Sequence, residues 1–312
     1  MAAIITEKFR QINAAQFEES FSETNENYYM FVGKSTPFTS GTSGGSDISP
    51  PTPVDDITSE NYRWDSMLGA NAIAASDVSR GVPRRTYTSG TTYDMYEHNI
   101  SAANPSNQTG ASNLFDSTFF FITSDFRVYK VLYNLNSSGN KIALTTEPTF
   151  TSPVKQFVGG YLLQYMYTLT TTQVDKFLTT DFMAVATDST VSSAAVDGAI
   201  NIVKIKTAGS SGQDGTHANV PIRGDGSSGV CSVTVSSGAV SAVSVTTPGT
   251  GYTFAYIRVA DIVAAGATSL SGTELDVIIE PKGGHGKDAV DELGGFFVMT
   301  NTNFEGAETS NS

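Results

Sequence analysis

Two segments of this chain repeat each other 40 residues apart, and this repeat restricts the possible folds more than any other feature. Residues 198–212 (GAINIVKIKTAGSSG) align with residues 238–252 (GAVSAVSVTTPGTGY), and five of the fifteen positions are identical. In both copies the apolar residues alternate, slip by one position between the second and the third, and then alternate again. Alternation predicts a strand, and a slip at the same place in both strands predicts a β-bulge in each. Residues 191–280 are therefore predicted to form a duplicated β-rich module.

The residues between the two copies predict a hairpin. VCSVTV and AVSAVSV both have strand character, and Ser236-Ser237-Gly238 lies between them, which is a composition typical of a tight turn. Each copy is followed by a short segment ending in Ile-Arg, at residues 222–223 and 257–258.

The rest of the chain predicts more strands and a few helices. Ile5, Phe9, Ile12 and Phe17 have nearly helical spacing and predict an amphipathic helix over residues 4–21. Two further helices are predicted over residues 59–78 and 171–178, and strands over residues 28–32, 118–124, 126–136, 160–170 and 182–187. The Ser-, Thr-, Gly- and Pro-rich run Ser35–Thr58 predicts a long loop or arm.

These patterns together predict a mainly β fold with three parts. We expect a β-sandwich core with a few helices in long connections over residues 1–190. The small β module is then an insertion over residues 191–280, and residues 281–312 return to the core. With 39% hydrophobic residues, the chain can bury a hydrophobic core large enough to fold without disulfide or metal cross-links.

Charge and cysteine content exclude several classes of partner. The formal net charge of −13 opposes binding to nucleic acid or to anionic lipid, because both need clustered Lys and Arg. The single cysteine, Cys231, excludes an internal disulfide framework and a zinc site built from several thiolates. No apolar run approaches the length of a signal peptide core or a membrane span, so we expect a soluble, unexported chain that binds no membrane.

Two glycine-rich motifs resemble nucleotide-binding loops, but neither is complete. In residues 281–288 (PKGGHGKD), Pro281 stands where a phosphate-binding loop needs its first glycine, and Asp288 replaces the hydroxyl that holds magnesium. Residues 224–229 (GDGSSG) match G-x-G-x-x-G, but a strand pattern follows where the fingerprint requires a helix. Both motifs are therefore predicted to be structural turns.

Hydrolytic and metal chemistry are also predicted to be absent. Residues 41–45 (GTSGG) match G-x-S-x-G but lie in a polar loop and not between a strand and a helix. His98, His217 and His285 lie in stretches typical of exposed loops and lack metal-ligand spacing. We therefore predict no catalytic residue, cofactor, metal site or small-molecule substrate.

The loop at Pro83-Arg84-Arg85 allows two interpretations. Two guanidinium groups on a loop held by proline can clamp carboxylates of the fold itself, or they can bind a neighbouring protein. The sequence favours neither over the other.

An ordered series of segments carries a family resemblance. The series is ITEKFR, YYMFVGKSTPFT, GVPRRTY, FRVYKVL, GYLLQYMYTL and VDKFLTTDFMAV. Over roughly residues 4–190 it resembles the baseplate wedge protein of T-even-like contractile-tailed phages, the family of gene product eight. GGHGKDAVDELGGFFV resembles a segment of longer relatives from phages of marine cyanobacteria. The β repeat is not part of the shorter relatives, and its Gly249-Thr250-Gly251-Tyr252 resembles glycine-tyrosine repeats of phage structural proteins.

This resemblance implies a structural protein rather than an enzyme. The implied subunit is a homodimer within a six-fold baseplate, assembled in the host cytoplasm, which links other wedge proteins and is rearranged when the tail contracts. The residues expected at an interface or in a loop clamp are Phe9, Arg10, Pro37, Phe38, Pro83, Arg84 and Arg85. An alternative is a carbohydrate- or receptor-binding tail module carried by residues 191–280, with Tyr252 and Tyr256 exposed.

Overall fold

The computed structural model describes residues 5–33, 46, 48–50, 64–136 and 139–304. Strands account for 37% of the structure and helices for 17%, and the sheets are antiparallel, which confirms the predicted mainly β class. By its contacts the chain divides into two compact units, residues 1–80 with 296–312 and residues 81–295. The division into 1–190, 191–280 and 281–312 follows the repeat and composition instead, and it stays a prediction.

The first unit contains the predicted N-terminal helix. Helix α1 (Glu7–Ser20) begins after Thr6, whose hydroxyl accepts a hydrogen bond from the backbone N–H of Phe9 at 3.2 Å. A hydroxyl in this position satisfies one of the amides that a helix leaves unpaired at its N-terminus. The strands of this unit are β1 (Tyr29–Gly33), which pairs antiparallel with β2 (Met67–Ala72), and β16 (Phe297–Thr300).

The helix predicted over residues 59–78 is wrong from residue 67 onwards, although Trp64 and Asp65 are helical. Residues 67–72 form strand β2, a 3₁₀ turn covers Ala75–Asp77, and β3 (Val78–Pro83) begins at Val78. The apolar spacing suited a helix, but pairing with β1 satisfies the backbone of residues 67–72 in the extended form. Tertiary pairing therefore outweighs local propensity here. Residues 59–63 lie outside the described residues, as does most of the arm Ser35–Thr58.

The second unit contains a four-stranded sheet in the order β4-β5-β7-β6. Its strands are β4 (Phe120–Ile122), β5 (Arg127–Tyr133), β6 (Gln156–Val158) and β7 (Tyr161–Thr168). β5 and β7 are buried along nearly their whole length, so both faces of this sheet are covered. Its core is aromatic, with Tyr93, Phe121, Tyr129, Tyr161 and Tyr165 among its buried members.

Shorter elements follow this sheet, and those predicted from the sequence are confirmed. Helix α2 (Thr171–Phe177) starts with a capping box between Thr170 and Gln173, and β8 (Phe182–Ala184) pairs with β3. Helices α3 (Ser189–Ala194) and α5 (Ala289–Leu293) flank the repeat region in sequence.

The repeat region forms three small sheets with a core of their own. Its elements are β9 (Ile200–Ser210), β10 (Gly215–Pro221), β11 (Arg223–Gly224), β12 (Val230–Ser236), β13 (Ala239–Thr247), β14 (Ala255–Tyr256), α4 (Val259–Ala264) and β15 (Ser271–Ile279). The sheets are β10-β12-β13, β15-β9 and β11-β14. The last sheet brings the two Ile-Arg segments together, since Arg223 pairs with Tyr256. We call residues 200–279 the repeat module.

The hairpin predicted within the module is confirmed. β12 and β13 pair antiparallel across Ser237 and Gly238, which have φ values of 53° and 77°. Two successive residues with positive φ give the turn the twist that a two-residue hairpin needs.

Both repeated strands are bulged at matching positions, as the repeat predicts. The extra residues are Asn201 and Lys206 in β9, and Ser241 and Thr246 in β13, so each pair is again 40 residues apart. The bulges do not fall between the second and third apolar residue, where the slip in the sequence stands. Ile202 is responsible for that slip, because it packs on the aromatic core while Ile200 and Val203 enter the module core.

Candidate functional site

The loop at residues 281–288 is a turn that its glycines make possible. Gly283, Gly284 and Gly286 have φ values of 87°, 95° and 86°, which side chains rarely tolerate. A Cβ on Gly284 would lie 2.4 Å from the carbonyl oxygen of Val196, and one on Gly286 would lie 2.3 Å from Cγ1 of Val191. Positive φ and close packing therefore account for the glycine pattern.

The backbone amides of this loop bind carboxylates of the protein itself. The N–H of His285 donates to Oε2 of Glu280 at 2.8 Å. The N–H groups of Gly286 and Asp288 donate to Oε1 of Glu292 at 2.7 and 3.3 Å. Amides of this kind would face the phosphate in a nucleotide-binding loop. Because two glutamates already occupy them, the arrangement does not fit a phosphate site.

These glutamates belong to a cluster of buried charges. Nζ of Lys130 lies 2.8 Å from Oε2 of Glu292, and both side chains are buried. Lys155 pairs with Glu280 at 3.2 Å, and Lys130 lies 4.0 Å from the centre of the Tyr96 ring. Burial lowers the pKa of Lys130, while Glu292 acts in the opposite direction. Charges this deeply buried persist only when they are paired.

His285 belongs to the same cluster, and its own ring is neutral. It packs edge-on against Tyr96 with ring centres 4.9 Å apart, and burial together with Lys130 holds its pKa well below 6.5. Its Nδ1 lies 3.8 Å from Oε2 of Glu292 and finds no hydrogen-bond partner among the described residues. The exposed position expected for this histidine is wrong. It is also wrong for His217, which is buried in the repeat module.

The same loop ties together the residues that flank the module. The N–H of Gly283 donates to Oδ1 of Asp197 at 2.6 Å, and the hydroxyl of Ser192 donates to the carbonyl of Lys287 at 2.8 Å. The N–H of Ala289 donates to the hydroxyl of Thr187 at 3.0 Å. The chain therefore enters and leaves the module at one place.

Three consecutive residues make a second set of contacts with the module. Glu97 forms an ion pair with Lys204 of β9. His98 accepts a hydrogen bond at Nδ1 from the N–H of Ile279, the last residue of β15, at 3.1 Å. Nδ2 of Asn99 donates to Oδ2 of Asp276, also on β15, at 3.2 Å. These contacts could not be predicted, because β15 and the polar loop at residues 97–99 are far apart in the chain and share no local pattern.

The G-x-G-x-x-G motif of the module packs around one tyrosine. The hydroxyl of Tyr252 donates to the carbonyl of Ile222 at 2.9 Å and accepts from the N–H of Gly229 at 3.1 Å. A Cβ on Gly226 would lie 2.4 Å from Cγ of this ring. The motif is a structural turn, as predicted, but Tyr252 is only 3% exposed, and the expectation of an exposed ring is wrong.

Arg84 and Arg85 both make contacts within the second unit. Nη1 of Arg84 donates to the carbonyl of Thr179 at 2.8 Å. Nη2 of Arg85 donates to the carbonyl of Phe115 at 2.7 Å, and its guanidinium group lies 4.4 Å from the centre of the Phe120 ring. Burial lowers the pKa of Arg85 to about 10, against the opposing effect of Asp116 and Asp94. Pro83 ends strand β3 directly before this pair.

Helix α1 presents its apolar residues to solvent. Phe9 and Ile12 of the helix are 52% and 45% exposed, and Ile5, two residues before the helix begins, is 66% exposed, whereas Gln11 and Ala14 on the opposite side of the helix are buried. We call Ile5, Phe9 and Ile12 the α1 stripe. Arg10 pairs with Glu7 at 3.1 Å and lies 3.7 Å from the centre of the Phe296 ring. Pro37 and Phe38 lie outside the described residues.

The described residues contain neither a candidate metal cluster nor a helix that could span a membrane. Within the described ranges, no group of three or more His, Cys, Asp or Glu side chains could hold a metal ion. Among the helices that the structure describes, none is long and apolar enough to cross a bilayer.

Comparison with known protein families gives a match to the N-terminal part of the chain. The family model described as "Bacteriophage T4, Gp8" matches residues 3–132, which include ITEKFR, YYMFVGKSTPFT, GVPRRTY and FRVYKVL. No curated protein matches the chain. The Gp8 family consists of structural proteins of the phage baseplate. Over residues 3–132 the chain is therefore similar to the Gp8 family of baseplate wedge proteins, and this match supports a structural role in the phage tail baseplate.

Proposed function

We propose that this protein links neighbouring wedge proteins in the baseplate and is rearranged with them when the tail contracts. In this proposal it acts as a homodimer within a six-fold assembly, is built into the baseplate in the host cytoplasm, and catalyses no reaction. The observation that carries the proposal is the exposed α1 stripe.

Exposure of the stripe is significant because an apolar helix face normally packs on the protein core. In α1 the stripe faces solvent, while polar Gln11 is buried. Contiguous exposed apolar surface marks interaction sites. The described chain has seventeen exposed large apolar side chains, and ten of them lie in residues 5–68, within the segment that matches the family. The ten are Ile5, Phe9, Ile12, Phe17, Tyr29, Phe31, Val32, Ile48, Trp64 and Leu68.

The residues expected at an interface or in a loop clamp then divide into two groups. Phe9 belongs to the partner-facing stripe in our proposal, with Arg10 beside it. Pro83, Arg84 and Arg85 serve as a loop clamp, because both guanidinium groups already bind carbonyls of the same unit. The proposal for Pro37 and Phe38 rests on the family resemblance alone.

The test is a charge placed on the stripe. We expect Phe9→Glu to fold normally by circular dichroism, and to reduce incorporation of the subunit into baseplates about ten-fold or more, since a buried aromatic anchor is lost. Ala15→Glu is the matched control, because it adds the same charge at an exposed position of α1 outside the stripe. Light scattering on the free subunit separates loss of a homodimer from loss of contacts with other wedge proteins. Equal incorporation of the two variants would contradict the proposal.

No observation favours the alternative of a carbohydrate- or receptor-binding module. Tyr252 is buried against glycines and has both hydroxyl contacts within the module. Tyr256 is 40% exposed, and its hydroxyl accepts a hydrogen bond from Arg258 at 3.2 Å.

A further inference from the structure

The last residue of β15 is held by a hydrogen bond from outside its sheet. The N–H of Ile279 donates to Nδ1 of His98 at 3.1 Å. A backbone N–H can only donate, so Nδ1 must carry a free lone pair and the ring proton must be on Nε2. This contact therefore exists only with the neutral imidazole.

We propose that His98 is a proton-sensitive hook, which holds the end of β15 at neutral pH and releases it in mildly acidic solution. Protonation would place an N–H on Nδ1, directly facing the N–H of Ile279. Two donors cannot form a hydrogen bond, so the contact is lost.

The charged groups around His98 determine where the ring goes after release. Asp276 lies on β15, and Glu97 precedes His98 and pairs with Lys204 of β9. Asp276 and Glu97 both favour the protonated ring. Lys204 engages Oε2 of Glu97, but the buried Oε1 has no hydrogen-bond partner among the described residues, and Asp276 faces the uncharged amide of Asn99. Both carboxylates can therefore attract the protonated ring away from Ile279.

The direction of the pH effect follows from the closed geometry. Burial lowers the pKa of His98 in the closed state below its ordinary value of 6.5, although Asp276 and Glu97 oppose this effect, and release removes that burial. The open state thus binds more protons below pH 6.5. The hydrogen bond from Ile279 to His98 is therefore fully formed above pH 6.5 and is progressively lost as the pH falls below that value. His98 remains exposed, so a proton reaches the ring without unfolding.

The contacts beside the hook limit the release to the strand end. Beside it, Glu97 pairs with Lys204 and Asn99 donates to Asp276, and neither contact involves the imidazole. The next residue, Glu280, binds the amide of His285 and the side chains of Lys155 and Asn201. Release of Ile279 therefore loosens the strand directly before the buried charge cluster.

Amide hydrogen exchange on the full chain tests this proposal. The exchange rate of the Ile279 amide, corrected for the intrinsic effect of pH, is compared at pH 7.5 and 5.5 by NMR. We expect about a five-fold rise at pH 5.5 in the wild type, the effect of losing one hydrogen bond. His98→Asn keeps an acceptor near the position of Nδ1 but does not titrate, so protection should be the same at both pH values. His98→Ala should leave Ile279 unprotected at both.

His217→Gln is the control histidine variant. It keeps a donor in place of Nε2, which contacts the carbonyl of Gln213, and should retain the wild-type pH response. An equal rise in wild type and His98→Asn would overturn the proposal, as would an Ile279 amide that stays protected in wild type at pH 5.5. If His98→Ala does not fold, the comparison of wild type with His98→Asn decides.

Discussion

Asp94 organises a long polar connection of the second unit through one buried carboxylate. Its two oxygens accept five hydrogen bonds, from the backbone N–H groups of Gln108, Thr109 and Thr118 and from the hydroxyls of Thr109 and Thr118, at 2.6–3.0 Å. Burial alone would raise the pKa of Asp94, but these hydrogen bonds bring it below 3.8. The two ends of loop residues 108–118 are thus held together by one carboxylate, with a 3₁₀ turn at Leu114–Asp116 between them.

Replacement of this carboxylate should destabilise the fold. In Asp94→Asn, an NH₂ group would face N–H and O–H donors, and we expect the free energy of unfolding to fall by about 2–3 kcal/mol. The measurement is urea denaturation followed by circular dichroism. In the wild type, the contribution of Asp94 is fully present above pH 3.8 and is lost as the pH falls through its lowered pKa.

Asp125→Asn is the matched control for this prediction. Asp125 pairs with Arg127 at 2.8 Å, but its side chain is 60% exposed, so its loss should cost under about 0.5 kcal/mol. Equal effects of the two substitutions would show that the five hydrogen bonds of Asp94 contribute little.

At the scale of elements, the turn between β12 and β13 combines a favourable and an unfavourable residue. Gly238 adopts positive φ at no cost, whereas Ser237 adopts a φ of 53° with a side chain. Asn tolerates this conformation better than Ser, and Asn-Gly is the preferred pair for this turn.

Ser237→Asn should therefore stabilise the module. We expect a gain of about 0.5 kcal/mol and a higher melting temperature by calorimetry. Ser237→Val places a β-branched side chain at positive φ and should cost about 1 kcal/mol or more. A lower melting temperature for Ser237→Asn would mean that its side chain meets a clash that the turn geometry does not show.

Elements with a strong local signal could be predicted from the sequence. Alternation predicted β5, β7 and the hairpin of β12 and β13, and the apolar spacing of residues 171–178 predicted α2. β2 could not be predicted in this way, because residues 67–72 are extended only through pairing with β1. The repeat predicted bulged strands. It could not predict which of the two cores each side chain faces, because no local pattern reveals that the aromatic core is also present.

On the scale of the whole molecule, the buried charge cluster joins residues that are distant in the chain. Lys130 lies on β5 of the aromatic sheet, Lys155 just before β6, Glu280 at the end of β15, and Glu292 on α5. The turn could be predicted from its glycines, but the carboxylates that its amides bind could not. Glu280 and Glu292 have no sequence signal that separates them from surface glutamates.

Breaking this cluster should be costly. Glu292→Gln leaves Lys130 buried beside a neutral group, and we expect a loss of about 3–5 kcal/mol in the free energy of unfolding. The surface pair of Lys206 and Glu274, 3.6 Å apart and exposed, is the control. Glu274→Gln should change stability by less than about 0.5 kcal/mol. Chemical denaturation measures both, and similar small changes would show that Lys130 is solvated or has become neutral.

The pairing of Ile200 with Ile279 has a consequence for how such a chain can diversify. These residues are antiparallel partners at the two ends of the module, so their Cα atoms lie about 5 Å apart. A two-residue turn spans the same gap. A segment grafted between them can therefore grow, shrink or be exchanged for an unrelated one, while the flanking backbone keeps its path.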